Sequence, residues 1–312
     1  MKKLFFFLLI IISVLSCNQD DENKLPDPND ICSIMDDVKF KAYCLENFDE
    51  NNDGKISLSE ANSVKSIILS SKGIISLKGL QYFSSLTELR CDGNKIVSID
   101  LSKCIALTNL YCSHNQINTL DLSKCTKLTN LECGYNPISS LNINGCELIE
   151  YLYLSENQIT SIDLSKLNKL KQFSSFGGQI KDLDFSKCTL LQDLNATEMP
   201  LETVVLGSNS NLRNINCSQT KIKFLDISKC STLQTIQVVQ TKLETLVTGT
   251  NNTLRNLNCR ETNLKTIDLS GYLSLEVLAC GDNPYLNEVW LKTGQDIKSI
   301  YKDAHTIIYY KN

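Results

Sequence analysis

A period of 21 residues constrains this chain more than any other feature. Residues 107–127 align without a gap on residues 86–106 and 128–148, and the same register continues to a tenth copy that begins at Leu275. A chain that repeats one unit at a fixed length stacks each unit on the one before, because a single unit cannot bury its own apolar face. The period therefore predicts a solenoid over most of the chain.

Each copy follows the pattern L-x-x-L-x-C-x-x-N-x-I-x-x-L-D-L-x-x-C-x-x, and positions are counted from its first leucine. Apolar and polar residues alternate twice per copy, for example at 110–112 and at 120–122. This alternation is typical of strands, and no copy has room for a ten-residue amphipathic helix. We therefore predict a β-dominated solenoid with parallel strands on both faces.

Residues at the same position of successive copies should stack on one another in columns. Position nine holds an amide in five copies, namely Asn94, Asn115, Asn136, Asn157 and Asn283. A buried amide there can bond the backbones of adjacent coils. Because Met199 cannot do so, we expect the least regular part of the solenoid at residues 177–200.

Most of the fourteen cysteines also fall into columns. Six occupy position six and five occupy position nineteen: Cys91, Cys112, Cys133, Cys217, Cys259 and Cys280, then Cys104, Cys125, Cys146, Cys188 and Cys230. We predict buried free thiols, which behave as small apolar residues, since metal sites need closely spaced ligands. Cys32 and Cys44 lie outside the ladder and are either bridged, in an oxidising compartment, or free.

The repeat pattern resembles the 21-residue cysteine-ladder class of bacterial leucine-rich repeats (LRRs), to which internalin J and many surface lipoproteins of the Bacteroidota belong. The resemblance extends from Val64 to the end of the chain. It implies adhesion or recognition at a cell surface and does not name a partner. Copies six and eight depart from it, with V-L-G-S-N at 205–209 and V-T-G-T-N at 247–251.

The first 31 residues read as an export and anchoring segment. Residues 1–16 have two lysines followed by an apolar core, which is typical of a signal peptide. The sequence V-L-S-C ending at Cys17 resembles a lipobox, which implies acylation of that cysteine; the alternative is an ordinary signal peptide with an incidental cysteine. Residues 17–31 are predicted to be a flexible acidic tether resembling those of outer-surface lipoproteins. We expect a lipid-anchored protein of the outer membrane that faces the cell exterior.

Residues 49–60, DENNDGKISLSE, match the loop of an EF-hand. The predicted calcium ligands are the side chains of Asp49, Asn51, Asp53 and Glu60, the carbonyl of Lys55, and Ser57 through a water molecule. An entering helix is predicted at 37–48, and Ser57 with Glu60 has the spacing of a capping box. We expect a weakly bound, structural Ca²⁺; the alternative is a turn without metal. The predicted domains are this EF-hand-like cap at 32–63, the solenoid at 64–289 and an irregular β cap at 290–312.

The formal net charge is −4, and it becomes −6 when Lys2 and Lys3 are removed with the signal peptide. Without a basic patch, the composition argues against a nucleic-acid partner. Position fifteen is an aspartate in six copies, with a lysine three residues later in most, and we expect a solvated ladder of charges there. His114 and His305 show no spacing typical of a catalytic triad, so we predict no enzyme and no catalytic residues.

Ring-bearing side chains cluster in copies two to five, at the outward positions of the strand predicted in the first half of each copy. They are Tyr111, His114, Tyr135, Tyr151, Tyr153 and Phe176, whereas copies six to nine carry amides at these positions. Exposed aromatic clusters mark interaction sites. We predict a monomeric binding or adhesion module whose concave face takes an extracellular protein or glycan. The alternatives are a glycan-capturing accessory protein in nutrient uptake and a carbohydrate-active enzyme, for which Glu132 and Glu156 form the one nearby acidic pair.

Overall fold

The computed structural model describes residues 27–312, so the predicted signal peptide, Cys17 and most of the tether lie outside the described residues. Two short α-helices precede the first strand of the described part, α1 (Val38–Phe48) and α2 (Leu58–Ser63). Two 3-10 helices span Ile31–Ile34 and Leu80–Tyr82. Everything that follows α2 is a β-solenoid, so the predicted fold class is confirmed, including its short helical start.

One face of the solenoid is a continuous parallel sheet of twelve strands, which we call the front sheet. Its strands are Ser66–Ile68, Glu88–Arg90, Asn109–Tyr111, Asn130–Glu132, Tyr151–Tyr153, Gln172–Ser174, Asp193–Asn195, Asn214–Asn216, Thr235–Gln237, Asn256–Asn258, Val277–Ala279 and Ser299–Tyr301. Most neighbours pair 21 residues apart, as Leu110 does with Leu131. The first and last pairs are 22 apart, with Ile67 opposite Leu89 and Leu278 opposite Ile300.

The opposite face, which we call the back face, is divided into four short parallel sheets. Its strands are Thr119–Asp121, Ser140–Asn142, Asp182–Asp184, Thr203–Val205, Phe224–Asp226, Thr245–Val247, Thr266–Asp268, Glu288–Lys292 and Ile307–Lys311. The residues predicted to form an irregular C-terminal cap carry the last strand of each face.

Part of the pairing on the back face can be related to the residue at position fifteen. In the first pair of each sheet, the aspartate that ends one strand lies opposite a residue other than aspartate: Asp121 with Asn142, Asp184 with Val205, Asp226 with Val247, and Asp268 with Trp290. The coils that would set two aspartates side by side, Asp100 with Asp121 and Asp163 with Asp184, form no strand pair. Like charges directly opposite one another destabilise a strand pair, which explains these two breaks.

The aspartates of position fifteen are exposed or half-buried and the lysines three residues later are exposed, as expected for a solvated ladder of charges. Each of these aspartates also accepts a hydrogen bond from the backbone N–H two residues later, as Asp121 does from Ser123 at 2.9 Å. The same bond forms at Asp100, Asp163, Asp184, Asp226 and Asp268. Within residues 27–312, the one ion pair of this column joins Asp268 to Lys311. In each of these six coils the carboxylate therefore closes a turn through a local hydrogen bond, of the kind that aspartate side chains favour.

The thirteen described cysteines are buried and unpaired, as predicted for the ladder. Cys32 and Cys44 are also free, so the structure has the unbridged form of this pair. Burial raises the pKa of the Cys133 and Cys217 thiols to about 12. In the second column the thiol of Cys146 lies 3.2 Å from the carbonyl oxygen of Leu122 in the preceding coil. The ladder thus supplies small apolar side chains and weak S–H donors to the core.

The buried amides of position nine join neighbouring coils. The side-chain N–H₂ of Asn115 donates to the carbonyls of Cys91 and Cys112, at 2.9 and 3.1 Å, and its oxygen accepts from Ile96 N–H at 3.0 Å. In later coils Thr220 makes a single bond of this kind, to Cys217. The amides therefore satisfy backbone groups that the turn would otherwise leave buried without partners.

The expectation of an irregular stretch at 177–200 is wrong. Front strands pair across it without a change of register, and Phe173 lies opposite Leu194. The side chain of Met199 is buried and fills the space of the missing amide. The ladder persists because it consists of backbone bonds, such as Glu198 N–H to Ser218 C=O at 3.1 Å.

One carboxylate joins the helical cap to the first coil. Asp37 caps α1 by accepting from the N–H groups of Lys39 and Phe40, and its second oxygen accepts from Ile75 and Ser76 in the solenoid. Although burial raises the pKa of Asp37, these four backbone donors lower it below its ordinary value. The cap is thus held in place by a buried, fully bonded charge.

We predict that Asn136→Ala destabilises the protein by at least about 2 kcal/mol, because each buried polar group left without a partner costs about 1–3 kcal/mol. The side chain of Asn136 bonds four backbone groups, the carbonyls of Cys112, Cys133 and Gly134 and the N–H of Ile117. Urea unfolding measures the change. The matched control is Asn118→Ala, which removes an exposed amide and should change the free energy of unfolding by less than about 0.5 kcal/mol.

We also predict that the free energy of unfolding is constant in neutral solution and falls as the pH rises from about 9 to 12. Burial holds the ladder thiols protonated in the folded state, for example by raising the pKa of Cys125 to about 11. In the unfolded chain the same thiols lose their protons above about pH 8.5, so alkali favours unfolding. Urea unfolding at a series of pH values tests this. Replacing Cys133 and Cys217 with alanine, the residue already at position six in Ala196, should flatten the decline; an unchanged slope would contradict it.

Candidate functional site

A groove of about 520 Å³ crosses the front sheet over the first four repeats. Its walls and floor are formed by Arg90, Asp92, Tyr111, Ser113, His114, Glu132, Gly134, Tyr135, Tyr153 and Ser155. These residues occupy positions five, seven and eight of their repeats. The small residues Ser113, Gly134 and Ser155 form the middle row between rows of larger side chains, and this difference in size makes the depression.

The structure brings together four of the six predicted ligand-binding residues: Tyr111, His114, Tyr135 and Tyr153 all line this groove. The other two lie beside it. Tyr151 is at position three, where it is opposite Gln172 of the next strand. Phe176 lies one coil further along, where its N–H donates to the hydroxyl of Ser155 at 3.1 Å.

The rings of the groove are held by their neighbours. The guanidinium of Arg90 lies 4.1 Å from the ring centre of Tyr111 and is also 2.7 Å from the carboxylate of Glu88. The hydroxyl of Tyr153 donates to Gln172 at 2.6 Å. Such contacts reduce the freedom that the side chains would lose on binding a ligand, which favours affinity.

His114 and Tyr135 form a stacked pair, with ring centres 4.3 Å apart and planes inclined by 8°. Both residues have a left-handed backbone, with φ of 55° and 56°. Position eight has a positive φ in all ten repeats: Gly93, His114, Tyr135, Glu156, Gly177, Glu198, Gln219, Gln240, Glu261 and Asp282. For residues other than glycine this conformation costs about 1–2 kcal/mol, so the fold, not the local sequence, imposes it. The pair is therefore placed by the turn that ends each front strand.

Arg90 and Asp92 were not predicted as site residues, because only ring-bearing side chains were considered at positions five and seven, and Glu132 was considered only as half of an acidic pair with Glu156. Burial raises the pKa of Glu132; the Asp92 charge acts in the same direction, and that of Arg90 acts against it. Within residues 27–312 the carboxylate of Glu132 accepts no hydrogen bond and forms no ion pair. It is thus a partly desolvated acceptor that is available to a ligand.

The predicted calcium loop folds as a tight turn between α1 and α2. Asp49 accepts from the N–H groups of Asp53 and Gly54, at 3.1 and 2.9 Å, and Asn51 also accepts from Asp53, at 2.9 Å. Gly54 has a φ of 78°, the left-handed conformation that this loop position requires. The loop therefore gathers the side chains of three predicted ligands, Asp49, Asn51 and Asp53, around one turn. Lys55, whose carbonyl is the predicted backbone ligand, follows Gly54 in this loop.

The fourth side-chain ligand, Glu60, is buried and engaged by protein donors. Its carboxylate accepts from the N–H and hydroxyl of Ser57, both at 2.7 Å, and from Glu50 N–H at 3.0 Å. The capping box predicted from Ser57 and Glu60 is confirmed. No group of three or more His, Cys, Asp and Glu side chains is arranged for a metal anywhere in 27–312. Calcium at this loop would thus require Asn51 and backbone oxygens as well as the acids.

The two histidines have structural surroundings. His114 stacks on Tyr135, and Nε2 of His305 lies 3.2 Å from the carbonyl oxygen of Asn283. In the part of the chain that the structure describes, no helix is long and apolar enough to cross a membrane.

The solenoid is similar to several solved LRR structures. The functional domain of InlJ from Listeria monocytogenes, which includes a cysteine ladder, matches with a TM-score of 0.64 and 22% identity over 91% of this chain and 73% of that one. An LRR protein from Leptospira interrogans matches with a TM-score of 0.53 and 17% identity, over 80% and 62%. No family model and no curated protein matches the sequence.

A plant protein shows the same architecture. The LRR ectodomain of the membrane receptor kinase GASSHO1/SCHENGEN3 from Arabidopsis thaliana, solved in complex with CASPARIAN STRIP INTEGRITY FACTOR 2, matches with a TM-score of 0.53 and 16% identity. The match covers 82% of this chain and 34% of that one. At these identities the similarities establish the fold: the chain is an LRR β-solenoid.

We propose that Ca²⁺ binds the loop at 49–60 and stabilises the helical cap. A ligand that binds only the folded state raises the free energy of unfolding by about 1.4 kcal/mol at ten times its Kd. Millimolar calcium should therefore raise the Tm of the wild type, and Glu60→Gln should remove most of this rise. The control is Glu50→Gln, the same change at an exposed acid of the loop, which should keep the rise. Equal shifts in all three proteins would show that calcium does not act here.

Proposed function

We propose that this protein is an extracellular binding module, and that the groove on the front sheet is its ligand site. The observation that carries the proposal is the convergence of stacked and braced rings, Tyr111, His114, Tyr135 and Tyr153, on the unpartnered carboxylate of Glu132. Flat apolar surfaces beside a few oriented charged groups are typical of recognition sites. A role in adhesion or recognition at the cell surface agrees with this arrangement.

A protein is the ligand that we favour. The groove offers charges of both signs, from Arg90, Asp92 and Glu132, beside tyrosines, and interface hot spots favour tyrosine and paired charges. The plant receptor ectodomain described above, which has the same architecture, was solved in complex with CASPARIAN STRIP INTEGRITY FACTOR 2. A cationic side chain of the ligand would find both a carboxylate acceptor and ring faces here.

A glycan is the second candidate, and one observation favours it. Tyr135 is 46% exposed and is stacked on His114, so it presents a firm, flat ring to solvent. Sugar rings pack their apolar faces on such surfaces while carboxylates accept hydrogen bonds from their hydroxyls. A glycan ligand would make this protein a capturing accessory in nutrient uptake.

We further propose that the module is tethered to the outer membrane through an acylated Cys17, which lies outside the described residues. A signal peptide followed by a lipobox-like V-L-S-C supports this. Acyl chains anchor a protein because each buried CH₂ contributes about 0.8 kcal/mol. Mass spectrometry of the mature N-terminus should show lipid on Cys17, and Cys17→Ser should release the protein from the membrane fraction.

The ligand site is tested by binding to arrays of host proteins and of glycans, with the protein lacking its signal peptide and Cys17. For the ligand found, we predict that Tyr135→Ala with Glu132→Gln weakens binding at least tenfold, since aromatic contacts contribute about 0.5–1.5 kcal/mol each and a lost charge-assisted bond adds to this. The Tm should change little, because neither side chain is part of the buried core.

Tyr285→Ala is the control, because Tyr285 is an exposed tyrosine outside the groove. Affinity unchanged in the double variant would place the ligand elsewhere on the front sheet, beginning with its amide-rich half. A groove that binds neither proteins nor glycans would contradict the proposed function.

A further inference from the structure

A second groove lies on the back face, away from the proposed ligand site. Its volume is about 720 Å³, and its lining comes from the back strands Thr203–Val205 and Phe224–Asp226 and the residues beside them. The lining includes two apolar side chains at its opening, Val205 and Phe224, together with Leu206 and the lysines Lys221, Lys223 and Lys242.

The groove opens where the back face is interrupted. The strands Thr203–Val205 and Phe224–Asp226 are neighbours along the solenoid but belong to different two-stranded sheets. Between the next two coils, the backbone N–H groups at positions sixteen and twelve are hydrogen-bonded. Ile227 N–H donates to the carbonyl of Val247 at 2.9 Å, and Glu244 N–H donates to the carbonyl of Lys223 at 2.8 Å. At the interruption, the N–H groups of Leu206 and Lys223 have no acceptor in the described part of the chain. Both residues line the groove, so two of its backbone donors have no protein acceptor within residues 27–312.

Two exposed apolar side chains line this opening, and both depart from the repeat. Phe224 is 52% exposed at position thirteen, where every other repeat has a polar residue: Ser98, Thr119, Ser140, Ser161, Asp182, Thr203, Thr245, Thr266 and Asn287. Val205 is 46% exposed at position fifteen, where most repeats have aspartate. Folding does not require apolar residues at these outward positions, as the other repeats show. An apolar patch with polar residues around it is typical of a site that contacts another molecule.

The charges around the patch favour an anion. Three lysines line the groove against two acids, Glu202 and Asp226, so the lining is positive although the chain as a whole carries −4. One of the acids, Asp226, is already bonded to Ser228 N–H at 2.9 Å. Lys221 and Lys242 form no ion pair within residues 27–312, and Lys223 lies 3.7 Å from Glu244 in an exposed contact. Cationic side chains and unpaired N–H donors therefore meet beside an apolar surface.

We propose that this groove binds a small amphiphilic carboxylate, a molecule with an apolar chain and one acid group. The apolar chain lies over Val205 and Phe224, and the carboxylate accepts hydrogen bonds from the lysines and from the free N–H of Lys223. The volume is in the range of small-molecule sites, about 300–1,000 Å³. A carboxylate bonded by charged donors and backbone N–H groups gains the stronger, charge-assisted kind of hydrogen bond.

The test uses decanoate as the anionic probe and decylamine as its cationic counterpart, both below their micelle concentrations, with the soluble protein lacking residues 1–17. Isothermal titration calorimetry should detect decanoate at a Kd below 1 mM, in the range expected for a small ligand (about 4 kcal/mol or more of binding free energy). Amide NMR shifts on binding should concentrate at 202–206 and 221–226. Decylamine should bind at least tenfold more weakly.

Val205→Asp is the decisive variant, because it restores the aspartate that most repeats carry at position fifteen. The new aspartate lies opposite Asp184 in a strand pair. Val247→Asp makes the same change opposite Asp226, at a residue that does not line the groove, so it controls for folding and for the added charge. We expect Val205→Asp, and likewise Phe224→Thr, to weaken decanoate binding at least tenfold, and Val247→Asp to leave it within twofold. No binding at 1 mM, equal binding of decylamine, or equal losses in the two aspartate variants would overturn the proposal.

Discussion

Both grooves of this protein depend on the backbone hydrogen bonds that join each coil to the next. In the front sheet these bonds fix equivalent residues about 4.8 Å apart over twelve strands, so that side chains 21 residues apart in sequence become neighbours. Arg90, Tyr111 and Glu132 are brought together in this way, one from each of three successive coils. A single repeat has no site of its own. The ligand surface arises from the stacking, and the stacking is stable because the leucine, cysteine and asparagine columns are buried between the two faces.

The sequence was sufficient to predict what every repeat shares. The alternation of apolar residues predicted strands on both faces, and the even spacing of the cysteines predicted buried, unpaired thiols; both agree with the structure. These predictions succeed because each column repeats one physical requirement about ten times, so an isolated exception does not obscure it. The same reasoning failed at Met199, where a missing amide was expected to disturb the coil. An apolar side chain can fill the space, and the backbone ladder needs no side chain to continue.

What the sequence did not predict depends on how neighbouring coils meet. The solvated charges of position fifteen were predicted from the sequence, but their bonds to the backbone N–H groups two residues later were not. A local bond of that kind needs less ordering than a contact between two long exposed side chains. Two of the breaks in the back face fall where two aspartates would stand opposite one another, and this is visible only when two coils are compared. The link from Asp37 to Ile75 and Ser76 joins residues that no repeat pattern relates.

The two faces differ in what they offer a ligand, and the repeat explains why. On the front sheet, unbroken pairing holds the rings in place, so the proposed site loses little conformational entropy on binding, and its specificity resides in the side chains of positions five, seven and eight. On the back face, the interruption between two sheets leaves backbone donors free, and the site uses them together with side chains. In both places the residues that matter are those that differ from the repeat. Glu132 and Tyr135 or Val205 and Phe224 are not needed for the stacking of coils, since other repeats stack without them. In a repeat protein the shared residues maintain the solenoid, and the residues particular to one coil are where a ligand can be recognised.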